Sequence, residues 1–241
     1  MKPVIGITCP WSSETWGPNA KGGTYDYAGR TYSEAVYRAG GVPLLIPALL
    51  GDTDPEEHAT QILDLVDGLY FTGGGDRTLQ SPQPLPLYEQ QPSRSSWEAA
   101  LMKLAYERNV PCLGACRGYQ MMAVVFGGAM DPVRWPEHKQ TIPYHMGIHD
   151  VIPQGLLADL VGSESWCVNS IHVERVMTIP EGFSEAARTG DNTLEAIYAD
   201  HKDFFLGTQF HPELMPEDPR SQIIFNQFIK AAASGKRPAK N

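Results

Sequence analysis

Cys116, His211 and Glu213 are the side chains whose types and spacing can open an amide bond through a covalent intermediate. Cys116 sits in Val110-Pro-Cys-Leu-Gly-Ala-Cys116-Arg-Gly-Tyr-Gln120, with Gly114 and Gly118 two residues to either side. This is the G-x-C-x-G form of a nucleophile elbow, a strand turning sharply into a helix. Glycine suits both flanks because neighbouring segments pack close to the strained turn, and a side chain there would collide. The helix that follows points its N-terminus at the thiol, and that partial positive charge favours the reactive thiolate. A nucleophile needs a base. Phe204-Phe-Leu-Gly-Thr-Gln-Phe210 reads as a strand, and His211-Pro-Glu213 follows at its end. An imidazole there can face the elbow, take the thiol proton and return it to a leaving amine, while Glu213 fixes its orientation. Alone, Cys116 also fits a buried turn residue, and His211 and Glu213 a solvated turn.

The elements that must position these groups read as an α/β alternation. Residues 4–8, Val42–Ile46, Gly68–Thr72 and the elbow segment are strands. Between them lie helices over Tyr25–Ala39, closed by Gly40-Gly41, over Pro55–Leu65 with Asp54 as N-cap, and from a capping box at Ser95-Ser-Trp-Glu98 to about Arg108. This pattern predicts a mostly parallel sheet with helices on both faces, a flavodoxin-like three-layer sandwich. Further strands at Trp166–Asn169, Glu185–Thr189, Leu194–Tyr198 and Phe204–Gln209 predict a small antiparallel extension. Gln154–Leu160 reads as a short helix and Pro219–Ala233 as an amphipathic one. Residues 11–24 and 131–148 show no period. The loop 77–93, with four prolines, has the length and position of a lid.

The 241 residues and 42% hydrophobic content fit one domain over 1–233 with a flexible basic tail at 234–241. A formal charge of -9 argues against nucleic acid or an anionic membrane as partner. The cysteines Cys9, Cys112, Cys116 and Cys167 have neither C-x-x-C metal spacing nor a disulfide framework, which fits a reducing compartment. With a strand at the very start and no apolar run of membrane-spanning length, the expected location is cytoplasmic.

The order Gly73-Gly74, Gly114-Ala-Cys116-Arg-Gly118-Tyr-Gln120 and His211-Pro-Glu213 resembles the class I glutamine amidotransferase superfamily. More narrowly, the chain resembles the peptidase C26 branch, the γ-glutamyl-γ-aminobutyrate hydrolase-like proteins. Tyr32–Pro47, Asp67–Gly74, Val168-Asn-Ser-x-His172, Leu194-Glu-Ala and Gly207–Glu213 each match a segment of that branch. The resemblance implies a Cys116–His211–Glu213 triad. It also implies an oxyanion hole of the Gly74 and Arg117 backbone N–H groups, and substrate contacts from Gly75, Gln120, Arg94 and His172. It implies no cofactor and no metal. The substrate would be a small γ-glutamyl amide, hydrolysed through a γ-glutamyl thioester. Alternatives are a glutaminase subunit serving a separate synthetase chain, or a silent binding or sensor protein of the same fold. A homo-oligomer is compatible with either.

Departures from the branch pattern occur at Ser95, where Asp is usual, at Val173-Glu174 in place of His-Gln, and over Met130–Trp135. They bear on the amine half of the substrate. From the residues alone, Arg94 and Arg117 either hold a substrate carboxylate or lie solvated. Trp11, Trp16 and Trp135 either wall a pocket or pack loops. His138, His145 and His149 are loosely spaced, with His145 and His149 able to share a helix face. No acidic or cysteine cluster in the sequence completes a metal site around them.

Overall fold

The computed structural model describes residues 1–12, 25–48, 54–74 and 86–235. In chain order, β1 (Val4–Thr8) is followed by a short hairpin of β2 (Trp11–Ser12) and β3 (Tyr25–Asp26). Then come α1 (Arg30–Arg38), β4 (Val42–Ile46), α2 (Pro55–Leu63) and β5 (Gly68–Phe71). Next are α3 (Leu87–Gln90), α4 (Pro92–Glu107), β6 (Cys112–Ala115) and α5 (Arg117–Val125). The second half holds β7 (Ala129–Met130), β8 (His149–Pro153), α6 (Gly155–Val161), β9 (Trp166–Val168) and β10 (Val176–Thr178). It ends with β11 (Phe183–Thr189), β12 (Leu194–Ala199), β13 (Phe205–Thr208) and α7 (Pro219–Ser234).

Nine strands form one sheet in the order β4-β1-β5-β6-β13-β12-β11-β8-β9. The first five are parallel, and β12, β11, β8 and β9 continue antiparallel. Counting only the parallel strands, the order is 2-1-3-4-5, the flavodoxin-like winding. Alternation along the strands divides the core. Ile5, Ile7, Tyr70, Leu113 and Leu206 face the layer with Val36, Leu157, Phe225 and Phe228. Leu69, Phe71, Cys112 and Phe205 face the layer with Leu63, Trp97, Leu101 and Met122. Both faces are covered, as a parallel sheet requires.

Asp54 caps α2 as expected, its Oδ1 accepting from the Glu56 N–H at 2.9 Å. Two helix starts differ from expectation. The first helix begins at Arg30, not Tyr25, because Tyr25 and Asp26 pair as a strand with β2 and Asp26 accepts from the Ala48 N–H. The helix expected from Ser95 begins at Pro92, at a helix's first position where its missing N–H costs nothing. Ser95 therefore lies inside the first turn, and its hydroxyl donates to the Leu87 carbonyl and accepts from Arg117. The stretch expected as loop to residue 93 contains α3 and the start of α4; residues 75–85, and with them most of the lid assignment, lie outside the described residues. β8 and β10 were not expected, and the strand at Phe204–Gln209, expected in the antiparallel extension, is β13, which pairs parallel to β6; the extension is β12, β11, β8 and β9. The tail beyond 235 lies outside the described residues.

Candidate active site

The C-terminal ends of β5, β6 and β13 lie side by side, and each releases a functional segment: Thr72-Gly73-Gly74, Cys116 and His211. In open α/β sheets this edge is where ligands bind.

Cys116 has φ 52° and ψ -106°, a conformation few non-glycine residues adopt. It persists because the surroundings over-determine it. The Cys116 N–H donates to the Thr208 carbonyl on β13 at 2.8 Å, and the Cys116 carbonyl accepts from Gln120 N–H in α5. A Cβ on Gly118 would stand 2.2 Å from the Phe71 carbonyl oxygen, and one on Gly114 would stand 2.9 Å from the Gly118 backbone. The flanking glycines thus let strand, elbow and helix meet backbone to backbone.

His211 lies just past β13, its backbone clamped by Asn169. The His211 N–H donates to Asn169 Oδ1 at 2.8 Å, and Asn169 Nδ2 donates to the His211 carbonyl at 2.9 Å. His211 Nδ1 bonds Glu213 Oε1 at 2.6 Å, and Glu213 Oε2 accepts from the Tyr70 hydroxyl at 2.9 Å. Burial disfavours the imidazolium, but the Glu213 carboxylate and the Cys116 thiol outweigh it and hold His211 well above its usual pKa. His211 and Cys116 converge on Gly73: a Cβ there would meet His211 Cε1 at 2.8 Å and Cys116 Cβ at 3.4 Å. The other cysteines differ. Burial raises the Cys9 thiol to about 11 and pushes Cys112 well up, while Cys167 is exposed on β9, at the antiparallel end of the sheet.

Gly74 has φ +87°, suited to glycine, and follows a turn held from below. The Gly73 N–H donates to the Tyr32 hydroxyl at 3.0 Å, and Arg94 Nη2 donates to the Thr72 and Gly73 carbonyls at 3.1 and 3.2 Å. The Arg117 N–H opens α5, where first-turn N–H groups have no intrahelical acceptor. Gly73, directly before Gly74, packs against Cys116, and Arg117 follows Cys116 in the chain.

The arginine side chains do something else. Neither is solvated, and neither is an exposed carboxylate clamp. Arg94 and Arg117 are buried about Glu98: Arg94 Nε donates to Oε1 at 2.8 Å, Arg117 Nη1 to Oε2, and the Thr8 hydroxyl also to Oε1. Burial opposes ionisation of Glu98, but the two guanidinium groups hold its pKa below the ordinary value. With one carboxylate for two cations, burial and Arg94 lower Arg117 to about 10. This network ties β1, β5, α4 and α5 beneath the elbow.

Gln120 is buried, its amide donating to the Glu174 carbonyl at 3.1 Å and to Gln209 Oε1 at 3.0 Å. Gly75 lies outside the described residues. His172 is drawn into a separate cluster with Glu195, His138 and His149; His145 is exposed, and no helix joins it to His149. Trp135 packs its loop, donating to Asp131 with Arg175 stacked 3.5 Å over its ring. Trp11 lies in β2, and Trp16 is outside the described residues. Read from the sequence, Asn169, Tyr70 and Tyr32 had no place in the site, and Glu98 only one in a helix cap. Only the i, i+4 spacing of Arg94 and Glu98 carried a readable signal.

The Escherichia coli (strain K12) gamma-glutamyl-gamma-aminobutyrate hydrolase PuuD is 31% identical over 225 residues, 83% of this chain and 84% of that protein. Protein NtpR of Enterococcus hirae is 30% identical over 95% of this chain and 99% of its own length. A glutamine amido transferase structure from Methylobacillus flagellatus superposes with a TM-score of 0.62 at 16% identity, over 96% of this chain and 95% of that one, a likeness of fold. The peptidase C26 family model matches residues 3–213, and the chain belongs to that family.

Proposed function

We propose that the chain hydrolyses γ-glutamyl amides through a Cys116–His211–Glu213 triad. Membership in the peptidase C26 family, together with the likeness to PuuD, makes it a hydrolase of amide bonds in the glutamine-amidotransferase-like class. The observation that carries the finer reading is the strained Cys116 presented beside an imidazole whose far nitrogen is held by a buried carboxylate. The Cys116 thiolate attacks the γ-carbonyl carbon, and the Gly74 and Arg117 N–H groups receive the oxyanion. Such preorganised donors are worth about 3 kcal/mol of barrier each. His211 protonates the departing amine, leaving a γ-glutamyl thioester. Water, deprotonated by the same imidazole, then releases glutamate and restores the thiol.

The test is glutamate release from a panel of γ-glutamyl polyamines, γ-glutamyl amino acids and free glutamine, against Cys116→Ala as blank. Turnover of at least one γ-glutamyl amide, absent in the variant, is expected. Activity equal to the blank across the panel would overturn the proposal, and a chain silent until a synthetase is added would point to ammonia delivery instead.

A further inference from the structure

Around Glu195 the antiparallel half of the sheet gathers a second set of chemically capable groups, which the proposed reaction does not use. His138 ends a short 3-10 helix, His149 opens β8, His172 follows β9, and Glu195 lies on β12. Glu195 is fully buried, and His138 and His172 are 4% and 5% exposed. One ligating atom from each of His138, His172 and Glu195 lies within 4.8 Å of the others.

Partners on the outer side fix the tautomers. His138 Nε2 bonds Asp191 Oδ2 at 2.9 Å, and that carboxylate also accepts from the Thr193 N–H and the Thr189 hydroxyl. A carboxylate so placed accepts, so Nε2 carries the proton, and in a neutral His138 the buried Nδ1 is bare. His172 Nδ1 donates to the Glu174 carbonyl at 3.0 Å, so in the neutral ring the bare nitrogen is Nε2, 3.4 Å from Glu195 Oε1. His149 Nε2 stands 3.8 Å from Glu195 Oε2. His138 Nδ1, His149 Nε2, His172 Nε2 and both Glu195 oxygens have no hydrogen-bond partner among the described residues. With His138 and His172 neutral, their bare nitrogens and the buried Glu195 carboxylate gain nothing from one another, and a cation among them turns these contacts favourable.

We infer that His138, His172 and Glu195, with His149 as a fourth donor, form a structural site for one divalent transition-metal ion of the zinc class. Two imidazoles and a carboxylate are a borderline donor set that suits Zn2+. Ligands about 2.0–2.1 Å from a tetrahedral ion stand roughly 3.3 Å apart. The 3.4 Å between His172 and Glu195 already meets that spacing. Asp191 and the Glu174 carbonyl supply the outer-shell acceptors that orient metal-bound histidines. The scaffold is preassembled: Ser170 donates its hydroxyl to the His138 carbonyl, the Ser170 N–H donates to Gln140 Oε1, and β8 pairs with β9. His149 is partly exposed and gives the ion its way in. The ion fastens the Asn169–His172 segment, whose Asn169 clamps the His211 backbone.

The experiment uses the 241-residue chain incubated with Zn2+ and freed of excess, with metal content measured by mass spectrometry. About one zinc per chain is expected, retained in Cys116→Ala, with a rise in Tm on adding Zn2+. The double variant His138→Asn/His172→Asn should lose both. Should it fail to fold, Co2+-loaded wild type decides by itself: d–d absorption of a nitrogen–oxygen site is expected, without a thiolate-to-cobalt charge-transfer band. Less than about a tenth of an equivalent of zinc in the wild type, zinc retained by the double variant, or a charge-transfer band would each overturn the inference. In the first case, ring-nitrogen shifts showing doubly protonated His172 would identify a proton-neutralised cluster in its place.

Discussion

Glu213 divides its carboxylate between two partners, one oxygen on His211 and the other on the Tyr70 hydroxyl. Replacing it with glutamine removes the charge and keeps the shape. We expect Glu213→Gln to lower kcat roughly 10²- to 10⁴-fold, because the imidazolium formed during turnover loses its counter-charge. The same substitution should lower the His211 pKa, which burial depresses and Glu213 and Cys116 raise. A group whose pKa is raised on folding stabilises the fold fully below its unfolded value, about 6.5 for histidine, and that contribution is lost as pH rises through the folded value. The stability gap between wild type and Glu213→Gln should therefore be widest in acid and narrow towards alkaline pH. Thermal unfolding across that range, with NMR titration of the His211 ring, measures both effects; a gap that widens with pH would contradict the assignment. Cys167 is also exposed, so alkylation must be assigned by peptide mapping. Modification at Cys116, and not Cys167, should track loss of activity.

The elbow works because two elements touch through glycine. At Gly118 an added Cβ would meet the Phe71 carbonyl, backbone that cannot swing aside, so β5 and α5 would have to separate. Overpacking of this kind costs about 3 kcal/mol or more. Gly118→Ala should accordingly lower Tm by roughly 6–12 °C in calorimetry and reduce activity with it. Beneath, Glu98→Gln strands two buried guanidinium groups, a loss of about 3–5 kcal/mol readable from denaturant midpoints. The glycine pattern was legible in the sequence because close backbone approach excludes every other residue. So were the first four parallel strands, each a short apolar run next to a helical period, whereas β13 read as antiparallel until its pairing with β6 placed it. What local sequence hid were features settled by distant partners. Tyr25 and Asp26 follow β2 into a hairpin, and Ser95 reads as a cap until Pro92 starts the helix earlier. Arg94 and Arg117 read as substrate clamps or solvated cations because the carboxylate that pairs with Arg117 lies on another helix and the loop carbonyls that Arg94 holds lie on another segment. His138, His149, His172 and Glu195 span almost sixty positions without a fixed interval, and only the winding of the antiparallel strands brings them together.

At the scale of the whole molecule, every group in the proposed reaction comes from one edge of one sheet. β5, β6 and β13 are neighbours, and their ends supply the oxyanion turn, the thiol and the imidazole with its carboxylate. The proposed triad draws its three side chains from one chain, and the turn before Gly74 is held by bonds within it. Were the chain a glutaminase held idle until a partner arrived, some part of this edge would stand out of its working shape. Here the features that would need switching, the Cys116 backbone and the Arg94-supported turn, are already in place. We therefore expect turnover per chain to stay constant on at least tenfold dilution, and addition of a candidate synthetase to leave it unchanged. Initial rates of glutamate release over a dilution series, alongside the sedimentation profile at the same concentrations, test this. A rate per chain that falls as oligomers dissociate would mean that a neighbouring copy holds some part of this edge in its working shape.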